Sequence, residues 1–171
     1  MTESILQITE DFWNFRGSFR IAGVLDVGTH CSLVRQRNGK WLFLDAYSLD
    51  RQARKKVAEL TNDGDDIEAI LNVHPFHTVH VERLHALYPQ AMLYGTARHH
   101  DRFPGLPWEE SKTEEAELHE RFGPDLQFSV PRGVDFIPDD QSLHFASVMV
   151  YHPASRTMHV DDTLNYLRLP S

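Results

Sequence analysis

Three histidines, His74, His77 and His80, recur at every third position of Leu71-Asn72-Val73-His74-Pro75-Phe76-His77-Thr78-Val79-His80. Neutral imidazole is the commonest nitrogen ligand for zinc, iron and copper, and ligands three residues apart beside a helix start can converge on one ion if the loop bends. Aspartates stand at two strand ends, Asp45 after Leu42-Phe43-Leu44 and Asp162 after Asp161. An aspartate at a strand end can equally cap a helix or close a turn. Asp45 could also support a site from behind by orienting a ligand. For His77 and His80, a helix-start role without metal stands beside the ligand role.

The elements that must position these groups follow from hydrophobic pattern. Residues 67–73 form an apolar run ended by Pro75, which cannot continue a strand ladder but suits a first helical turn. The spacing of Val81, Leu84, Leu87 and Tyr88 predicts a helix over 76–88, and a second strand over 91–94 completes a β-α-β unit with parallel pairing. Before it, strands are expected at 19–24, 30–37 and 41–45, with Asn38-Gly39 as a hairpin turn, and a helix over 51–60 capped by Ser48 or Asp50. Phe12, Trp13 and Phe15 are expected to cover a core edge. After it come a loop over 99–108, a helix over 111–122, and strands at 126–130, 134–137, 141–151 and 157–160. In that last strand His159 is expected to point away from the core, and the His99-His100-Asp101 triplet to be solvated.

Composition narrows the class. The 171 residues, 41% hydrophobic and 25% charged, suit one domain over 1–171 with a single core. No apolar run reaches the length of a bilayer span and the start lacks a signal-peptide pattern, so a cytoplasmic protein without membrane partners is expected. A net charge of −8 argues against nucleic acid as a partner. The lone Cys31 reads as a buried apolar residue rather than a nucleophile. Eleven histidines are the anomaly.

The order of parts resembles the metallo-β-lactamase fold superfamily over roughly residues 19–166: the strand ending in Asp45, a helix, the strand ending in the histidine cluster, then Val148-Met149-Val150-Tyr151-His152-Pro153 leading to His159-Val160-Asp161-Asp162-Thr163-Leu164. The resemblance implies an α/β (α+β) fold, an αββα sandwich with a shortened C-terminal half. It also implies metal held between loops at one edge of the sheets. The motif His-x-His-x-Asp-His falls on Pro75 to His80, so His77 and His80 match, while Pro75 and Val79 replace a histidine and the aspartate. His144 is similar to the later histidine ligand and Asp162 to the metal-bridging aspartate. His74 could substitute for the vacant first position, and Asp45 is a supporting group. Without the aspartate, a surviving site is expected to be mononuclear.

Two function classes follow. One is a metal-dependent hydrolase that uses one zinc or iron ion, bound by His77, His80, His144 and Asp162, on a small-molecule substrate. The other is a binding or interaction module that kept the fold after losing its metal, in which case no cofactor is expected. Iron redox chemistry is a weaker third. The end from Tyr166 to Ser171 is expected either to be a truncated tail or to pack on a partner chain, which would make a homo-oligomer.

Overall fold

The computed structural model describes residues 4–21, 25–26, 28–140, 142 and 146–164. Its largest unit is a six-stranded sheet of order β1-β2-β5-β6-β7-β8, built from β1 (Ile5–Thr9), β2 (Phe12–Gly17), β5 (Thr29–Arg35), β6 (Trp41–Leu44), β7 (Ile67–Leu71) and β8 (Met92–Tyr94). The first four pair antiparallel and the last two join in parallel, as the crossovers through helices require. β3 (Arg20–Ile21) and β4 (Leu25–Asp26) form a separate small ribbon. A second sheet of order β11-β10-β9 comprises β9 (Gln127–Ser129), β10 (Met149–His152) and β11 (Thr157–His159).

Two cores explain the layering. On one face of the large sheet, Cys31, Leu33, Phe43 and Ile70 pack against Ala53 and Val57 of α1 (Arg51–Leu60) and Val81 and Leu84 of α2 (Val81–Leu87). On the other face, Phe12, Val34, Leu42, Leu44 and Leu71 meet Val148 and Val150 of the second sheet, with Leu118 and Phe122 of α4 (Ala116–Phe122) alongside. All four β6 side chains are therefore buried, as a strand covered on both faces must be. Helix layer, sheet and second sheet stack in the expected sandwich order, and the second half contributes three strands. The αββα fold of the metallo-β-lactamase type is the architecture of this chain.

Several boundaries differ from the sequence expectations. The expected edge cover at Phe12, Trp13 and Phe15 is an outer hairpin, β1 and β2, whose alternation is blurred because Phe12, Asn14 and Phe15 are all buried. Residues 74–80 form a loop rather than the opening of a helix, and α2 begins only at Val81. The expected loop over 99–108 starts with a helix, α3 (Ala97–Arg102). It is capped by Thr96, whose backbone and hydroxyl both bond to the His99 ring. The chain can pass this closely because position 95 is glycine, where an added Cβ would lie 2.7 Å from His99 Cβ and 2.8 Å from Trp108. Residues 134–137 are bends, not a strand, and Val134 is exposed. At the hairpin between β5 and β6, Gly39 takes φ 86° as the Asn-Gly pattern demands.

Core and cap should separate in magnitude. Phe43, fully buried and stacked on Tyr88 at 5.5 Å, should cost about 3–5 kcal/mol as Phe43→Ala. Asp50, whose side chain accepts from Ala53 N at 2.8 Å, should cost about 1 kcal/mol as Asp50→Ala. Urea unfolding of both variants checks the ratio, and equal losses would contradict the assignment of Phe43 to the principal core.

Candidate metal centre

The centre is assembled where the two sheets part, at the carboxyl ends of β6 and β7. Asp45 follows β6 with φ 59°, a left-handed conformation that aspartate tolerates better than most residues. Its amide donates to Leu71 O at 2.8 Å, and its Oδ1 accepts from Val73 N at 2.8 Å and His74 N at 3.3 Å. The first residues of the 74–80 loop are thereby pinned to the end of the neighbouring strand. Arg98 of α3 holds the same loop from outside, donating to Pro75 O at 3.1 Å with its guanidinium 4.1 Å above the Phe76 ring.

Within that loop the His74 and His77 rings stack at 3.9 Å. His74 is fully buried, and its Nδ1 accepts from Phe76 N at 3.1 Å, which leaves Nε2 directed at Asp162 Oδ2, 3.3 Å away. His77 Nε2 lies 3.6 Å from the same carboxylate oxygen. On the other edge of the His77 ring, Nδ1 lies 3.8 Å from Asp45 Oδ2 and 3.7 Å from Asp161 Oδ1. His159 Nε2, arriving from β11, stands 3.4 Å from Asp161 Oδ2 and 3.6 Å from Asp45 Oδ2. Among the described residues, three groups of donors with mutual separations within 4.8 Å result: His74, His77 and Asp162; Asp45, His77 and Asp161; and His30, His159 and Asp161.

These spacings carry chemical information. A hydrogen bond between nitrogen and a carboxylate oxygen is ~2.7–3.0 Å long. Two ligands bound at about 2.0–2.1 Å to a tetrahedral ion are separated by ~3.3 Å. The 3.3–3.8 Å contacts of His74, His77 and His159 with the three carboxylates are too long for the first and lie at or up to 0.5 Å above the second. In addition Asp45 Oδ2, Asp161 Oδ2 and His159 Nε2 are buried without hydrogen-bond partners. Imidazole and carboxylate donors held at ligand spacing fit a divalent metal ion.

Electrostatics reflect the crowding. Burial, reinforced by the neighbouring His77, holds His74 down to about 4 against the pull of three aspartates. Burial would lower His77 too, but Asp162, Asp45 and Asp161 outweigh it and carry it up to about 11. His159 is likewise pulled down by burial and lifted to about 9 by Asp161 and Asp45. Burial would raise Asp161, yet Asp45, His159 and His30 keep it well below the usual carboxylate range.

Of the residues singled out from sequence, His77, Asp162, His74 and Asp45 come together here. His80 is the N-cap of α2, its Nδ1 2.8 Å from Ser48 Oγ and its ring edge-on to Tyr47 at 5.5 Å, and it joins none of the three groups. His144 lies outside the described residues. His159 is buried rather than outward-facing, because it is Met158, 48% exposed, that takes the solvent face of β11. His99 is buried too, and burial holds it down to about 4. His30, His159 and Asp161 were missed. The available signal for His30 was that it shares a face of β5 with Ser32 and Val34, the face that turns toward the second sheet.

No family model matches this chain, and no curated protein matches it in sequence. Solved structures do match in fold. A metallo-β-lactamase from Erythrobacter litoralis superposes with TM-score 0.59 at 17% identity, covering 88% of this chain and 66% of that one. One from Hirschia baltica gives 0.56 at 14%, covering 88% and 66%. FIM-1 from Pseudomonas aeruginosa, solved in a mono-zinc form, gives 0.53 at 16%, covering 85% and 62%. This chain spans 62–66% of the length of these structures, and the likeness establishes the fold.

Two outcomes follow for the metal-free protein. Asp45→Ala strands two buried amides and places alanine at a left-handed φ, so it should cost about 2–5 kcal/mol, while Asp45→Asn, which keeps an acceptor and tolerates the backbone, should cost less. Urea unfolding of both in chelator reads this directly. His77 and His159 titrate near 11 and 9 when folded. Against about 6.5 in an unfolded chain, their contribution to stability is complete below about pH 6.5 and is lost as pH climbs through 9 toward 11. Urea midpoints in chelator should therefore decline from pH 7 to 10, and a level profile would mean both rings are already neutral.

Proposed function

We propose that this chain, folded as a metallo-β-lactamase, is a metal-dependent hydrolase that holds one divalent ion, zinc or iron, through His74, His77 and Asp162 and acts on a small-molecule substrate. The observation that carries it is the spacing of three donors at the carboxyl ends of the central strands, with His74 and His77 Nε2 3.3 and 3.6 Å from Asp162 Oδ2. Ligand sites in open α/β sheets favour that edge. An ion bound there supplies Lewis acidity toward a carbonyl or phosphoryl oxygen and toward water.

The chain's own residues divide the remaining work. His74, fully buried, closes the inner side of the pocket, and Asp45 fixes the loop that carries both imidazoles. The Asp162 side chain is 42% exposed and marks the side open to solvent, where substrate would enter. Val79, 62% exposed, stands at the motif's carboxylate position and can neither bind an ion nor accept a proton. That leaves the 74–80 loop without a carboxylate to act as general base, an assistance typically worth roughly 10²- to 10⁴-fold. Slow turnover is the expectation. The same absence favours the second reading, a binding module that retains the fold without catalysis.

Metal analysis after expression with zinc or iron supplied should find at least one ion per chain. His77→Ala and Asp162→Ala should each weaken binding more than about 100-fold, since even groups that merely orient ligands are worth 10- to 100-fold. His80→Ala should retain the ion, because its ring is engaged by Ser48. Turnover of ester, thioester and phosphodiester substrates, with and without chelator, completes the test. An ion with no turnover supports the binding module; no ion in the wild type removes the metal reading altogether.

A further inference from the structure

The 74–80 loop carries both stacked imidazoles, and Asp45 secures only its entry, at the amides of Val73 and His74. Within the loop, backbone bonds run from His77 N to His74 O at 3.1 Å and from Thr78 N to Phe76 O at 2.9 Å. Pro75 has no amide hydrogen to add. The middle of the loop therefore draws support from outside.

Arg98 of α3 supplies it. Its guanidinium donates to Pro75 O at 3.1 Å and covers the Phe76 ring at 4.1 Å. Phe76 in turn meets the His74 ring edge-on, with 6.3 Å between centroids and 65° between planes, and His74 stacks on His77 at 3.9 Å and 23°. Four planar groups stand in sequence from Arg98 to the imidazole pair. A guanidinium is flat, so it can donate in its own plane to a carbonyl while stacking on an aromatic face, a combination that the compact ammonium of lysine does not offer.

The base from which Arg98 reaches is itself tied down. The amide of Ala97, the first residue of α3, donates to Glu114 Oε1 at 2.9 Å, and Thr113 N donates to Gly95 O at 3.1 Å. His100 of the same helix stacks on Trp108 at 5.1 Å. Thr113 Oγ1 donates to Asn72 O at 2.9 Å, and the Asn72 side chain donates to Tyr94 O at 2.9 Å. The brace thus returns to Asn72, on the strand end that leads into His74, and closes a circuit around the loop.

We propose that Arg98 is a positioning residue of the metal centre, setting through Phe76 the angle at which His74 and His77 face Asp162. The inference rests on the metal reading above. Groups that orient ligands without touching the ion are typically worth roughly 10- to 100-fold in metal affinity.

Zn²⁺ affinity of the full chain, measured by competition with a chromophoric chelator, should fall by roughly that factor in Arg98→Ala. The visible bands of the Co²⁺-loaded protein should shift as well, because the ligand angles change. Arg121→Ala controls for a merely structural loss: its guanidinium lies 5.7 Å from the Tyr94 and Phe122 rings, on β8 and α4. That variant should keep wild-type affinity and bands, and an equal loss there would overturn the proposal. Phe76→Leu should reproduce the Arg98→Ala loss, and the double variant should bind more tightly than the product of the two single losses, because both act through one contact. Fully multiplicative losses would overturn the route through Phe76. Should Arg98→Ala fail to fold by circular dichroism, Arg98→Lys decides: reduced affinity with shifted bands supports the role, and wild-type behaviour refutes it. A wild type that binds Zn²⁺ no better than a folded Arg98→Ala, with the same Co²⁺ bands, overturns the positioning role and leaves the metal site standing. A wild type that binds no ion overturns both.

Discussion

Asp45 holds the end of one parallel strand to the start of the next loop, and the centre depends on that bond pair. Its left-handed backbone turns the carboxylate back over the strand ends, so that Oδ1 takes the amide hydrogens of Val73 and His74. Oδ2 is then left facing His77 and His159. A single side chain thus sets the path of the histidine loop and contributes charge to the space the loop encloses. Neither effect would survive in a residue without an oxygen at that distance from the backbone.

The interface between the sheets changes character along its length. At one end Val34, Leu42, Leu44 and Val150 form a dry apolar core. At the other, Ser32, Asp45, His159 and Asp161 continue the same layer with polar side chains. Buried carboxylates are tolerated when cations or strong hydrogen bonds compensate them. Here the compensation comes from His77 and His159, whose elevated proton affinities are the electrostatic imprint of three crowded aspartates. A divalent ion can take over the same role, because the site's charge is arranged for a cation of either kind.

The fold is shared with metallo-β-lactamases at 14–17% identity, so the same architecture forms with mostly different side chains. In this chain the donors come from two places. The loop after β7 supplies two stacked imidazoles to the groups and not His80, while β11 and its following residues supply one imidazole and two carboxylates. Donor groups drawn from the two sheets meet at the centre.

The sequence alone determined the large features: a strand buried on both faces from Trp41 to Leu44, an apolar strand along 67–71, the parallel crossover, the capped helix after Asp50, and a histidine cluster at a strand end. These depend on local pattern, apolar runs, turn residues and caps, which neighbouring residues reveal. His77, His74 and Asp45 were legible because each ends or follows such a run, and Asp162 because its surroundings resemble those of a metal-bridging aspartate. Tertiary structure decided the rest. The side to which His159 points is a matter of parity in a three-residue strand, and only packing of the second sheet makes Met158 the exposed neighbour. His30 is 129 positions from His159, and His80 lies three from His77 yet turns to Ser48. Which histidines meet is set by where the chain bends and which faces the sheets bury, and no spacing along the chain encodes that.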